Sequence, residues 1–208
     1  MAVPRASILE KYLHEKKGYS FLRFDYTDHG DSTYKKQTAN EPIDERNVLS
    51  PFPGPKPLRH KGKKLEFGAW IKDLLQVVDE LTEGPLVLIG ESFGAWLAIL
   101  AALERPERIK GIVAISAGVD FMSRWMNKMF TYQEKERLQA GETLWIADHP
   151  DGPYAGSKKI VDDSKEFELL TRQGSLNVVC PVHFVHSMQD DIAPYQWMLR
   201  LAAKLKSD

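Results

Sequence analysis

Cysteine is almost missing from this sequence: Cys180 is the single one in 208 residues. One thiol cannot close an internal disulfide, so the chain is not a disulfide-stapled scaffold, and the composition favours a reducing compartment. An excess of one charge is missing too. With 28 Lys and Arg against 29 Asp and Glu, the formal net charge is -1, and no overall field argues for nucleic acid, an anionic membrane surface or an acidic substrate. No apolar run approaches the roughly 20 residues that a membrane-spanning helix needs. Met1 to Tyr12 holds Arg5, Glu10 and Lys11 without the apolar stretch of a secretory signal, and has too little arginine for a clear transit peptide. No histidine or cysteine spacing matches a metal site, and no glycine-rich loop ends in Gly-Lys-Ser/Thr. Neither a metal nor a cofactor is expected.

What is present is an ordinary globular composition, 43% hydrophobic and 27% charged, in a chain long enough for one domain over 1–208. Ser7 and Glu10 form a capping-box pattern ahead of Ile8, Leu9, Tyr12 and Leu13, with Gly18 as the stop. Tyr19 to Tyr26 reads as a buried strand. Periodicity then disappears across 35–65, where Pro42, Pro51, Pro53, Pro55 and Pro57 accompany a basic cluster, and a long flexible loop is expected. Phe67, Trp70, Ile71, Leu74, Leu75, Val78 and Leu81 recur at helical spacing before Gly84-Pro85. Leu86 to Ile89 is an apolar strand, Trp96 to Leu103 a mostly apolar helix closed by Pro106, and Ile109 to Ser116 another strand. A helical, methionine-rich stretch from Val119 to about Ala140 and an irregular polar region follow. Val182 to Val185 is a further strand, and Trp197, Met198, Leu201 and Leu205 line a last helix. Short buried strands alternating with helices mean an α/β fold with a mostly parallel sheet flanked by helices.

Two places carry chemistry. Gly90-Glu91-Ser92-Phe93-Gly94 lies between an apolar strand and a helix, the context in which Gly-x-Ser-x-Gly makes a nucleophile elbow. The turn is tight enough that the residues two before and two after the serine have to be small. It holds the Ser92 hydroxyl above the sheet edge at the positive end of a helix, with the backbone N–H of Phe93 placed to donate to a developing oxyanion. The plain alternative is a tight strand-to-helix turn without chemistry. Asp190 follows the strand at Val182 to Val185, four residues before Pro194. A carboxylate there can orient a catalytic histidine; helix capping is the competing role for both Asp190 and Asp191.

Together with Phe21-Leu22-Arg23-Phe24-Asp25-Tyr26, Asp28-His29-Gly30-Asp31-Ser32, Trp70, Lys72-Asp73, Arg105-Pro106 and Cys180-Pro181, these motifs give the chain a clear likeness. It resembles the small alpha/beta-hydrolases of the mitochondrial palmitoyl-protein thioesterase and mycophenolic acid acyl-glucuronide esterase branch. The resemblance implies a serine hydrolase of acyl thioesters or esters, with Ser92 as nucleophile and Asp190 as acid, and a mitochondrial location; an authentic Met1 would instead suit the cytoplasm. It also implies a catalytic histidine beyond one more strand after the acid, and a glycine-containing oxyanion loop before the helix at Ser7. Neither is found here, and no catalytic histidine is identified. His29 reads as a turn residue. His186 starts about 10 Å from the elbow, two strand spacings away, against a hydrogen-bond reach of about 3 Å. The chain therefore reads as an incomplete alpha/beta-hydrolase, truncated at both ends. It is either a serine hydrolase by lineage or an inactive relative that binds acyl ligands or partners without turnover.

A lid is expected over about 119–175. Its stripe of Phe121, Met122, Trp125, Met126, Met129 and Phe130 offers substrate contacts through Met122, Trp125, Met126 and Met129, because methionine and aromatics suit a deformable acyl site. A helix packed on the core explains the same stripe equally well. The basic residues between Lys56 and Lys64 lack interleaved aromatics and read as a solvated loop, not a nucleic-acid patch. The expected partner is a small-molecule or protein-linked acyl group.

Overall fold

A computed structural model describes residues 5–27, 48–49, 66–124, 130–146 and 154–206. Helix α1 (Arg5–Lys17) is followed by a two-residue strand β1 (Val48–Leu49) and helix α2 (Phe67–Glu80). Strand β2 (Leu86–Glu91), helix α3 (Phe93–Glu104) and strand β3 (Ile109–Ile115) then run in direct succession. Helix α4 (Tyr132–Gln139), strands β4 (Thr143–Ile146) and β5 (Tyr154–Ser157), helix α5 (Lys158–Lys165), strand β6 (Val182–Val185) and helix α6 (Tyr195–Ala202) complete the chain.

The central sheet is parallel, in the order β2-β3-β6. Leu88, Ile112 and Val182 share one level, and Gly90, Ala114 and Phe184 the next. These residues face α3, whose Ala95 to Ala102 are all buried. A helix apolar on every side has to be covered on every side, and here α3 is held between β2, β3 and α2. The seam between α2 and α3 is aromatic. Phe67 lies 4.3 Å from Trp96, 5.4 Å from Phe93 and 5.1 Å from Phe167 between ring centroids, tilted and edge-on contacts within the range where aromatic pairs add to simple burial. Arg105, just past α3, grips Asp79 of α2 through Nε and Nη2 at 3.0 and 2.8 Å, holding that carboxyl below the usual range, chiefly through its hydrogen bond.

Tyr19 to Tyr26 is not a strand; the segment runs irregularly and mostly exposed. β-prone residues make a strand only beside a partner that completes the ladder, and among the described residues none pairs with them. The segment is docked at its end instead. The Thr27 N–H donates to Asp73 Oδ2 at 2.7 Å, the Thr27 hydroxyl to Oδ1 at 3.1 Å, and Trp70 Nε1 to the Thr27 carbonyl at 3.0 Å. The capping box at Ser7 is also corrected. α1 already includes Arg5 and Ala6, so Ser7 lies inside the helix, and Glu10 accepts from Arg23 Nε at 2.9 Å. Gly18 does end α1 at φ 70°, its N–H bonded to His14 O at 3.1 Å, a left-handed turn that favours glycine.

Beyond β3, residues 121–124 are helical and α4 begins with a true capping box, Thr131 with Glu134. The polar region read as irregular holds β4 and β5, which join β1 in a second small sheet. α6 ends at Ala202, and Leu205 forms a parallel bridge with Leu176 instead of continuing the helix. Apart from Val48–Leu49, the proline-rich stretch 35–65 lies outside the described residues, as do Asp28 to Ser32.

Candidate active site

Ser92 stands alone between β2 and α3, at φ 53° and ψ -117°. A non-glycine residue there carries real backbone strain, of order 1–3 kcal/mol. Three backbone bonds hold the turn. The Ser92 N–H donates to Ile115 O at 2.8 Å, while its carbonyl accepts from Ala95 at 3.1 Å and from Gly118 at 3.1 Å. The residue is exposed. Both features follow from the local sequence: an apolar strand drives straight into an apolar helix, leaving one residue to reverse direction.

Gly90 is what permits that turn. A Cβ at Gly90 would lie 2.4 Å from the Gly94 carbonyl carbon and oxygen and 2.6 Å from Ala95 N, whereas one at Gly94 would meet nothing within 4 Å. The need for a small residue on both sides of Ser92 is therefore corrected to a need at Gly90 alone. Phe93 follows at the first helical position, where a backbone N–H has no intrahelical acceptor. Its ring is fixed against Trp70 at 4.8 Å and Tyr26 at 6.4 Å, so aromatic packing holds the peptide that carries this N–H. Burial, and secondarily the charge of Asp73, push the Tyr26 hydroxyl well above its ordinary pKa.

Asp190 lies in the loop after β6, on the same carboxyl edge of the sheet as Ser92. Its Oδ1 accepts from the Ile192 and Ala193 N–H groups at 3.0 and 2.8 Å, and its Oδ2 lies 3.6 Å from His186 Nε2. The His186 side chain is almost fully buried, with Nε2 2.6 Å from the Ala193 carbonyl and Nδ1 without a partner. Since a carbonyl only accepts, Nε2 is the donor of this bond. The order β2-β3-β6 interposes a whole strand between the Ser92 and His186 positions, about 10 Å. Among the described residues, no histidine nitrogen is hydrogen-bonded to the Ser92 hydroxyl; His14 contacts the Tyr19 carbonyl, and His183 is exposed on β6. His29 lies outside the described residues.

The fold and the strained serine agree with a match to a family model described as the alpha/beta hydrolase fold, over residues 6–148. The chain belongs to the alpha/beta-hydrolase family. It is 28% identical over 191 residues to the Mus musculus mitochondrial palmitoyl-protein thioesterase ABHD10, covering 91% of this chain and 55% of that protein. The Homo sapiens protein of the same name is 28% identical over 141 residues, 67% of this chain and 45% of its own length. The chain thus spans about half the length of the curated relatives it matches. Among solved structures, mouse alpha/beta hydrolase domain-containing protein 10 superimposes with a TM-score of 0.71 at 23% identity, over 97% of this chain and 70% of that one. A chain from Agrobacterium vitis S4 gives 0.75 at 22% identity, over 98% and 70%. These structural likenesses establish the shared fold.

Two features of this alpha/beta-hydrolase site escaped the sequence reading. The first is the Ser116–Asp120 arch beside Ser92, with left-handed backbone at Ser116 (φ 46°) and Asp120 (φ 53°). The second is the Asp120 carboxylate, fully buried, which accepts the Leu169 and Leu170 N–H groups at 2.7 and 2.8 Å. Burial raises its pKa above the usual range despite those two bonds. The only local signal was a run of Ser, Gly and Asp directly after a strand. Of the proposed substrate contacts, Met122 packs partly buried against the core, while Trp125, Met126 and Met129 lie outside the described residues. Phe130 is buried. A separate hollow of about 470 Å³ beside α1, lined by Ser7, Glu10, Lys11, His14, Glu15 and Phe21, includes none of the elbow residues.

Proposed function

We propose that this alpha/beta-hydrolase takes acyl groups from thioesters or esters onto Ser92, in the manner named for its palmitoyl-protein thioesterase relatives. The single observation that carries the reading is the Ser92 backbone: a strained, exposed serine at a strand-to-helix turn, between a steric requirement at Gly90 and a helix amino terminus. Strain of this kind persists where the surroundings over-determine it, and a hydroxyl held clear of the turn is its use here. In the proposed step Ser92 Oγ attacks the acyl carbonyl carbon and passes its proton to a base, solvent water or the added imidazole of the test below, which returns it to the leaving group. The developing oxyanion accepts from the Phe93 N–H, and collapse expels the thiolate or alkoxide; water then releases the acid. Asp190, held by two N–H groups, is the proposed partner of the base. The region over about 119–175 is the proposed acyl-binding lid, and the mitochondrion, named for the relatives, the proposed compartment.

The lack of a histidine bonded to Ser92 among the described residues favours a second reading, an acyl-binding protein with little turnover. One experiment separates the two. Removing a triad member leaves about 10³–10⁴-fold acceleration over water, so the 208-residue chain is expected to hydrolyse acyl thioesters slowly. Added imidazole supplies a mobile base and should raise that rate in a Ser92-dependent way. A rate equal to that of Ser92→Ala at every imidazole concentration rejects the hydrolase reading and leaves binding alone.

A further inference from the structure

The arch that follows β3 crosses directly in front of the candidate nucleophile. Its Gly118 N–H donates to the Ser92 carbonyl at 3.1 Å. A Cβ on Gly118 would lie 3.3 Å from Ser92 Oγ, 3.5 Å from Ser92 C and 3.6 Å from Phe93 N. Reacting atoms approach to about 3–3.5 Å before attack, and an oxyanion donor works at about 2.7–3.1 Å. The missing Cβ therefore lies at attack distance from the Ser92 oxygen, 3.3 Å, and just beyond donor range of the Phe93 nitrogen, 3.6 Å.

Backbone conformation does not explain the glycine. Gly118 is not among the glycines with positive φ; the left-handed turns of this arch are made by Ser116 and Asp120 on either side of it. Nor can the arch readily withdraw. Asp120 ties it to Leu169 and Leu170, and Ser116 ties it to Val185 O through an N–H bond of 2.8 Å. A side chain at position 118 would have to share space with whatever approaches Ser92.

We propose that Gly118 is a specificity-determining residue, leaving open the space beside Ser92 that an acyl carbonyl and its unbranched α-carbon occupy. The inference rests on the reading of Ser92 as acyl acceptor. It is tested on a Ser92→Cys background, because a thiolate accepts acyl groups at mildly alkaline pH without a neighbouring base. The sulfur attacks the ester carbonyl of p-nitrophenyl decanoate, the bond to the aryl oxygen breaks, and p-nitrophenolate leaves. Peptide mass mapping assigns the acyl group to position 92 and not to buried Cys180.

Adding Gly118→Ala to that background should slow decanoyl transfer by about tenfold or more, because a displacement of about 1 Å costs on the order of 10²-fold. Alkylation by iodoacetamide, which needs no oxyanion site, should slow less. Without Gly118→Ala, p-nitrophenyl pivalate, branched at the α-carbon, should be disfavoured relative to decanoate by more than it is with free N-acetylcysteine. This second measurement holds even if Gly118→Ala does not fold. Decanoyl transfer within about twofold of the parent in folded Gly118→Ala, or a pivalate-to-decanoate ratio equal to that of the free thiol, overturns the proposal. Failure of imidazole rescue would instead strike the hydrolase reading, since the thiol assays do not depend on a base at Ser92.

Discussion

Replacing Gly90 by alanine tests the elbow at its tightest point. The new Cβ would sit 2.4 Å from the Gly94 carbonyl group and 2.6 Å from Ala95 N. Ordinary non-bonded carbon contacts begin near 3.5 Å, so the groups must part by about 1 Å. What has to move is not a side-chain tip but the backbone of the first turn of α3. That helix is buried from Ala95 to Ala102 and cannot shift without disturbing both the sheet and α2. Overpacking costs about 1–3 kcal/mol where side chains can relax, and more where they cannot, so a loss of about 3 kcal/mol or more is expected. Gly94→Ala is the paired comparison. Its Cβ meets nothing within 4 Å, and alanine inside a helix gains about 0.5–1 kcal/mol over glycine. The two substitutions, four residues apart, should therefore differ by about 4 kcal/mol. For a chain of this size that is about 8–16 °C in melting temperature, and it is also readable as a shift in urea midpoint at constant m-value. Equal midpoints for the two variants would refute the steric account of the turn.

Three further outcomes can be checked. Asp120→Ala leaves the Leu169 and Leu170 N–H groups without their acceptors, at about 1–3 kcal/mol each, and should lower the urea midpoint accordingly. Asp120 also has a raised pKa, chiefly from burial; it binds more protons folded than unfolded, so its stabilising contribution is present below the unfolded value and lost as pH rises through the folded one. The advantage of the parent over Asp120→Asn should therefore shrink from acid toward neutral pH, and a gap that widened would contradict this. Asp73→Ala removes both acceptors of Thr27; it should cost about 1–3 kcal/mol and speed hydrogen exchange at the Thr27 amide more than within α3.

The legible parts of this molecule are those whose signals are local. Gly84-Pro85, four apolar residues, Gly-x-Ser-x-Gly and an apolar helix lie in one stretch, and β2, Ser92 and α3 stand where that order puts them. Gly18 likewise stops α1 through its own φ. The misreadings share a dependence on distant residues. Tyr19 to Tyr26 has strand composition, yet a strand needs a ladder, and its attachment is decided by Trp70 and Asp73. Ser7 and Glu10 satisfy a capping pattern, yet the helix starts earlier and Glu10 turns to Arg23. The Gly118 contact with Ser92 was invisible for the same reason: it depends on β3 lying beside β2, not on any spacing along the chain.

The sheet shows how far such local reasoning extends. Continuous apolar strands such as Leu86 to Ile89 imply a parallel sheet covered on both faces. One face obeys, with Leu88, Ile112 and Val182 turned to the core around α3. On the other, Val87 is 63% and Val185 57% exposed, and among the described residues no strand pairs with the outer edge of β2. The same edge strand delivers Ser92. Yet the serine's geometry does not rely on that edge: its N–H bonds to Ile115 and its carbonyl to Gly118, both on the inner, β3 side, and the Gly90 contact is with α3. The Ser92 turn is thus held by β2, α3, β3 and the arch that follows β3. That is why a strained nucleophile conformation can coexist with an open sheet edge, and why the position of Ser92 and the supply of a base to it are separable questions for experiment.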